Sequence, residues 1–285
     1  MEAFLLCAGF GTRLRPLTNE WPKCLMPVSG RPLIDYWLIN LKMAGFQKVF
    51  VNTHWKHNIV RDYLKSSDFG IEVVILNEEK LLGTAGCMRN LAKEKVSTLL
   101  LAHGDNYSDL DLPQLIKFHR SHSKPISMVT FEAANPQECG IVMQNRYKTV
   151  TDFYEKVAKP PSNLANAAIY MIDKSVIKFI QENERVTDFS NHVIPAYLGK
   201  IKAFHHKGQM IDIGSLRSLK YAQSIDSADL IRIRNSNREK MFYGIYLVFF
   251  FVFSIFLVNL RAIKAKVSVK NMLYFMQKVL KVLKM

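Results

Sequence analysis

The 285-residue sequence predicts an α/β protein, a doubly wound and mostly parallel sheet followed by an apolar and basic helical tail. Two observations carry the fold class. Short apolar runs bounded by turn residues alternate with helical apolar rhythms through the first half, joined by short connections. The first run and the run at 98–103 end on Gly9-Phe10-Gly11 and Gly104-Asp105, at the carboxyl edge where such sheets bind ligands. A third observation sets off the tail: from residue 232 onward, charge is nearly all positive and interleaved with aliphatic and aromatic side chains.

Taken in order, Ala3-Phe4-Leu5-Leu6 reads as a buried strand. Residues 32–45 follow with Leu33, Trp37, Leu38 and Leu41 at helical spacing, opened by Pro32 and closed by Gly45. Strands are expected at 48–53, 71–76 and 98–103, and helices at 55–64 and 110–119. The second half carries short apolar or alternating stretches at 126–131, 141–143, 150–154, 167–172 and 201–205. These are expected to extend the sheet and form the far wall of a cleft. Helices are expected at 174–181, 190–198 and 215–224, and no internal repeat is visible. The organisation is thus one domain over 1–231 and an appendage over 232–285.

With 49% hydrophobic residues the chain can bury a sizeable core. From Arg232 onward eleven Lys and Arg face the single acid Glu239, a net of +10 out of the chain's +15. The main domain is therefore only mildly basic, and no nucleic acid is expected as a partner. Cys7, Cys24, Cys87 and Cys139 are scattered without a Cys-x-x-Cys pair. That argues for reduced, space-filling thiols in a cytoplasmic protein and against a disulfide or zinc framework. His54 and His57 stand three apart, but no third ligand lies nearby, and solvent-facing histidines are the favoured reading.

The segment Ala8-Gly9-Phe10-Gly11-Thr12-Arg13-Leu14-Arg15-Pro16-Leu17-Thr18, then Pro22-Lys23, places a glycine loop and two cations directly after a strand. Glycines let backbone N–H groups turn toward anionic oxygens, and Arg13 and Lys23 add charge, so a triphosphate is the ligand this chemistry suits. Leu14 occupies the place of a dinucleotide fingerprint's third glycine, and no Gly-Lys-Ser/Thr follows, which excludes the two commonest phosphate loops. The string closely resembles the signature of the sugar-phosphate nucleotidylyltransferases. The resemblance continues through Leu82-Gly83-Thr84-Ala85-Gly86, Gly104-Asp105, Glu155-Lys156, Asn166 with Tyr170, and Asp212-Ile213-Gly214, covering roughly residues 1–225. Pro22-Lys23-Cys24, Asp35-Tyr36-Trp37 and Cys139-Gly140-Ile141-Val142 look most like the bacterial mannose-1-phosphate guanylyltransferase group.

The resemblance implies a Rossmann-like nucleotidyltransferase fold and attack of a sugar-1-phosphate oxygen on the α-phosphorus of a nucleoside triphosphate, with pyrophosphate leaving. Ala8, Gly9, Gly11, Thr12, Gly83 and Thr84 would bind the nucleotide, Arg13 the β- and γ-phosphates, and Lys23 the α-phosphate and developing leaving group. Asp105 and Asp212 match the family's Mg²⁺ ligands. Glu155 and Lys156 would meet the sugar hydroxyls and its phosphate, and Asn166 and Tyr170 the sugar. Ala168 departs from the pattern by standing where the family usually has glycine. Glu78 and Glu79 are open to two readings, acceptors for a base proton or a solvated pair. GTP with mannose-1-phosphate is the expected substrate pair, serving surface polysaccharide. A catalytically silent nucleotide-sugar binder at a membrane is the alternative, against which the retained Arg13, Lys23, Asp105 and Asp212 argue.

Residues 241–260 contain no charge and are long enough to span a bilayer as a helix. Positive residues flank them on both sides, which suits a monotopic anchor better than a simple span. Residues 267–284 repeat Val269, Met272, Leu273, Met276, Val279, Leu280 and Leu283 at helical spacing among lysines, a basic amphipathic helix suited to an anionic inner leaflet. Packing against the domain, a homo-oligomer interface or a fusion remnant are the other readings of 241–285.

Overall fold

The computed structural model describes residues 1–224; the boundary expected at 231, the apolar segment 241–260 and the amphipathic stretch 267–284 lie outside the described residues. No helix among the described residues is long and apolar enough to cross a membrane.

Strands β1 (Glu2–Leu6), β2 (Lys48–Thr53), β3 (Glu72–Asn77) and β4 (Thr98–His103) form a parallel half-sheet in the order β4-β1-β2-β3. Helices α1 (Leu33–Met43), α2 (His57–Ser66) and α3 (Leu112–Arg120) connect and cover it. The second half joins through β9 (Leu164–Asp173), antiparallel to β4 and to β6 (Ile126–Glu132). Strands β7 (Gly140–Gln144) and β8 (Val150–Glu155) extend the sheet past β9, and β10 (Ile201–His205) lies parallel to β6. Helix α4 (Lys174–Glu182) covers the second face, and α5 (Leu216–Ser224) closes the described chain.

The alternation of side chains along a strand divides the core in two. On β1, Ala3 and Leu5 pack with Ile34, Trp37, Leu38 and Leu41 of α1, while Phe4 and Leu6 face the layer holding Val176, Ile177 and Ile180 of α4. Truncating a fully buried leucine such as Leu38 to alanine in such a layer costs about 2–5 kcal/mol. The four cysteines are free, and Cys7, Cys24 and Cys87 are buried, as space-filling thiols should be. A hydrogen bond with Cys24, and then burial, push the Cys7 thiol well up.

Three helices differ from the periodicity. The one expected at 55–64 begins at His57, because Lys56 adopts a left-handed φ of 54°. The one expected at 110–119 begins at Leu112, where the Asp111 carboxylate accepts from Gln114 N–H at 2.9 Å and Pro113 fits the first turn. The stretch expected as a helix over 190–198 is a π-helical turn, Phe189–Val193, then one turn, Ile194–Ala196, shaped by Pro195, which lacks an N–H to donate. Missing from the periodicity altogether is a two-stranded ribbon, β5 (Asn106–Ser108) against β11 (Met210–Asp212). Three residues are too few to leave an alternating pattern.

Candidate active site

The loop after β1 owes its shape to one glycine. Gly11 has φ 64°, and a Cβ there would lie 2.7 Å from Thr18 Cγ2. The Thr18 hydroxyl donates to the Gly11 carbonyl at 2.7 Å and the Trp55 indole donates to the Thr18 carbonyl at 2.8 Å, so the loop is braced against the end of β2. Gly9 differs, because a Cβ there would meet no protein atom within 4 Å. Its missing side chain serves no internal packing and leaves backbone open to an outside group. Ala8 is buried, whereas Gly9, Thr12 and Arg13 are exposed.

The β5–β11 ribbon performs the decisive assembly. It sets Asp212 opposite Asn106, next to Asp105, and the Trp37 indole anchors it by donating to the Asn106 carbonyl at 2.8 Å. Lys23 Nζ then donates to Asp105 Oδ2 and to Asp212 Oδ1, each at 2.7 Å, and Arg13 Nη2 donates to Asp212 Oδ2 at 2.9 Å. Four residues spread over two hundred positions thus form one ionic cluster. Gly214 gives Arg13 its room, since a Cβ there would lie 2.6 Å from the guanidinium. Burial pulls the Lys23 ammonium down, but Asp105 and Asp212 together outweigh it and raise its pKa. Burial likewise pushes Asp212 up, and Lys23 and Arg13 reverse this and hold it low.

Asp105 Oδ1 is buried and has no hydrogen-bond partner among the described residues; His103 Nδ1 stands 3.8 Å away, beyond hydrogen-bond reach. An orphaned carboxylate oxygen beside a second carboxylate is the donor set that suits Mg²⁺, which takes one or two carboxylates and leaves its other positions to phosphate oxygens and water. The pair fits the ion expected from the sequence.

Gly83 and Thr84 sit on a short helical turn, Gly83–Gly86, held by the segment ahead of the π-helical turn. Ala85 N–H and Gly86 N–H both donate to the Thr187 carbonyl, at 2.9 and 3.2 Å. The Thr84 hydroxyl donates to Asp188 Oδ2 at 3.1 Å and accepts from Phe189 N–H at 2.7 Å. Phe189 in turn packs on the Tyr170 ring, with centroids 4.3 Å apart. Tyr170 is buried, and Asn166 Nδ2 donates to its hydroxyl at 2.6 Å, so it lies behind Asn166 and supports it. Burial pushes the Tyr170 phenol up.

Asn166 Oδ1 also accepts from Ala168 N–H at 3.0 Å, at the point where the β9–β6 register breaks. Ala168 adopts φ 54° there, a left-handed conformation that glycine takes without strain. Glu155 ends β8, its carboxylate 3.4 Å from Lys156 Nζ, and Gly140 across the ladder leaves the space its side chain enters.

Sequence reasoning missed the ribbon, the Thr187–Phe189 brace and Asn52. The solvated-pair reading of Glu78 is excluded: the residue is 4% exposed, and its carboxylate accepts from Asn52 Nδ2 at 2.8 Å and from Leu82 N–H at 2.9 Å. An asparagine and a glutamate at adjacent strand ends were the available signal. His54 and His57 are not paired. His57 Nδ1 bonds the Thr53 hydroxyl and His54 Nδ1 the Glu78 carbonyl, each at 2.7 Å.

A glycine loop at a strand's carboxyl end, two cations and two carboxylates in one cluster define a nucleotide-phosphate-handling α/β protein. The chain belongs to the nucleotidyl transferase family, whose model matches residues 2–228. It is 31% identical over 238 residues to the mannose-1-phosphate guanylyltransferase of Mycobacterium tuberculosis, an alignment covering 81% of this chain and 65% of that protein. The chain therefore spans a little under two thirds of that relative's length. Among solved structures, a Bacillus anthracis protein in complex with a sucrose superposes with a TM-score of 0.73 at 22% identity, covering 85% of this chain and 98% of that one. HddC from Yersinia pseudotuberculosis complexed with GMP-PN gives 0.67 at 23% identity, over 78% and 97%. These two likenesses establish the fold.

Proposed function

We propose that this protein transfers a nucleotidyl group from a nucleoside triphosphate to a sugar-1-phosphate, with GTP and mannose-1-phosphate as the substrate pair. The observation that carries the reading is the Arg13–Asp212–Lys23–Asp105 cluster beside the glycine loop. A protein that only bound a nucleotide-sugar would need neither leaving-group charge nor paired carboxylates. The relatives named mannose-1-phosphate guanylyltransferase support the base and the sugar.

An oxygen of the sugar-1-phosphate attacks the α-phosphorus, the bond to the β-phosphate bridging oxygen breaks, and that electron pair leaves with pyrophosphate. The nucleophile is already anionic, so no general base is required, and positioning and charge stabilisation supply the catalysis. Arg13 grips the β- and γ-phosphates through its planar fork. Lys23 turns its ammonium to the α-phosphate and the bridging oxygen as negative charge builds there. Asp105 and Asp212 would hold Mg²⁺, which supplies electrostatic shielding of the phosphates. Ala8, Gly9, Gly11 and Thr12 receive the triphosphate, and Gly83 and Thr84 face the base. Glu155 accepts from sugar hydroxyls, Lys156 meets the sugar phosphate, and Asn166, backed by Tyr170, orients the sugar. The product would feed surface polysaccharide from the cytoplasmic side, with residues 241–285 as a membrane attachment.

The test is pyrophosphate release from GTP, UTP, CTP, dTTP and ATP with a panel of sugar-1-phosphates in Mg²⁺, for the native protein and Asp105→Ala. Release with GTP and mannose-1-phosphate that is lost in the variant is the expected result. Release with no pair would overturn the reading.

A further inference from the structure

A chain of hydrogen bonds, buried at Asn52 and part-buried at its Leu82 end, joins the two loops assigned to the nucleotide. Cys7 N–H, directly before the glycine loop, donates to Asn52 Oδ1 at 2.8 Å. Asn52 Nδ2 donates to Glu78 Oε1 at 2.8 Å, and Leu82 N–H, directly before Gly83, donates to Glu78 Oε2 at 2.9 Å. Asn52 and Glu78 are 3% and 4% exposed. Asn52 lies on β2 and Glu78 directly follows the adjacent β3, with Leu6 opposite Asn52 and Asn52 opposite Leu76. Glu78 N–H is further pinned to the Thr53 carbonyl at 2.8 Å.

We propose that Asn52 and Glu78 are positioning residues that fix the span between the phosphate loop and the base loop, and so set the affinity for the whole nucleotide. The inference rests on the nucleotide reading above and extends it to two residues that act through the Cys7 and Leu82 backbone amides. The polarity of the relay is fully determined. Both backbone ends are donors, so the two side chains between them must offer one acceptor to each end and one donor–acceptor contact to each other. Asparagine followed by glutamate meets that requirement. Burial makes any mismatch expensive, because an N–H facing an N–H has no water to turn to.

The requirement has one other solution of the same shape and the same total charge, aspartate followed by glutamine. In the double variant Asn52→Asp with Glu78→Gln, the aspartate carboxylate would accept from Cys7 N–H and from the glutamine amide, whose oxygen would accept from Leu82 N–H. Each single change breaks the chain. Asn52→Asp sets two carboxylates face to face, and Glu78→Gln sets an amide N–H against a donor.

The experiment measures binding of GTP and of inorganic tripolyphosphate to the native protein, Asn52→Asp, Glu78→Gln and the double variant by calorimetry, with folding checked by circular dichroism. Each single should weaken GTP by about tenfold or more. Tripolyphosphate meets only the phosphate loop, so Glu78→Gln should change it by less than about threefold, and the double variant should recover GTP to within about threefold of native. A double variant as weak as the singles would overturn the proposal, and it is the result expected if Glu78 contacts the base directly, since the glutamine that replaces it lacks the carboxylate charge that would accept from the base. Singles that bind GTP normally, or a Glu78→Gln that loses both ligands equally, would overturn it as well. If a single fails to fold, the double variant alone decides on the same criterion. Failure of the native protein to bind GTP would count against the nucleotide reading itself, a distinct outcome.

Discussion

Gly83→Ala isolates the contact that seats the Gly83–Gly86 turn. Gly83 has φ 81°, and a Cβ there would collide with the Thr187 carbonyl oxygen. The left-handed conformation alone costs an alanine about 1–2 kcal/mol. Moving the Thr187 carbonyl away also weakens its bonds to Ala85 N–H and Gly86 N–H, each contributing about 1 kcal/mol net. Removing a glycine from the unfolded chain offsets about 0.5–1 kcal/mol of this. The net loss is about 2–3 kcal/mol, read from urea unfolding as a shift in midpoint at unchanged slope. Gly199→Ala is the control, with φ 77° and no atom within 4 Å of its Cβ; it should lose only about 0.5–1 kcal/mol, from the conformational term. Equal losses at the two positions would refute the steric argument, as would a Gly83→Ala protein of native stability.

At Gly9, alanine should change stability by less than about 0.5 kcal/mol because nothing lies within 4 Å, yet raise the KM for the nucleoside triphosphate; a stable variant with unchanged KM contradicts a ligand-facing role. Ala168→Gly should leave stability between neutral and about 1 kcal/mol higher, since relief of a strained φ exceeds glycine's entropic cost; a melting temperature several degrees lower would contradict the strain. His122 is held below its usual pKa by burial, then by His119 and Lys202. The unfolded chain therefore binds more protons than the native one in the window below about pH 6.5. Stability should fall as pH drops through that window, and less so in His122→Gln; parallel pH profiles for the two proteins would exclude the effect.

The centre of the parallel half was legible because β1, β2 and β4 are buried on both faces, as with Phe4 and Leu5 against α4 and α1. Helix starts were less so, because Lys56 and Asp111 act through backbone angle and capping, which apolar spacing does not register. Within the site, the residue types at Arg13, Lys23, Asp105 and Asp212 announce phosphate chemistry in the sequence. Their meeting depends on a three-residue ribbon with no pattern of its own. Asn52 and Glu78 leave only their place at neighbouring strand ends as a trace, for another reason. A buried polar pair looks like two surface residues until the partners at Cys7 and Leu82 are seen.

The measurement that bears most directly on nucleotidyl transfer is phosphorus NMR of the native protein with GTP, mannose-1-phosphate and Mg²⁺. Transfer predicts disappearance of both substrates, with a sugar-linked diphosphate and pyrophosphate appearing in equal amounts. Persistence of both substrates, or conversion of GTP to GMP and pyrophosphate with the sugar phosphate untouched, would contradict it.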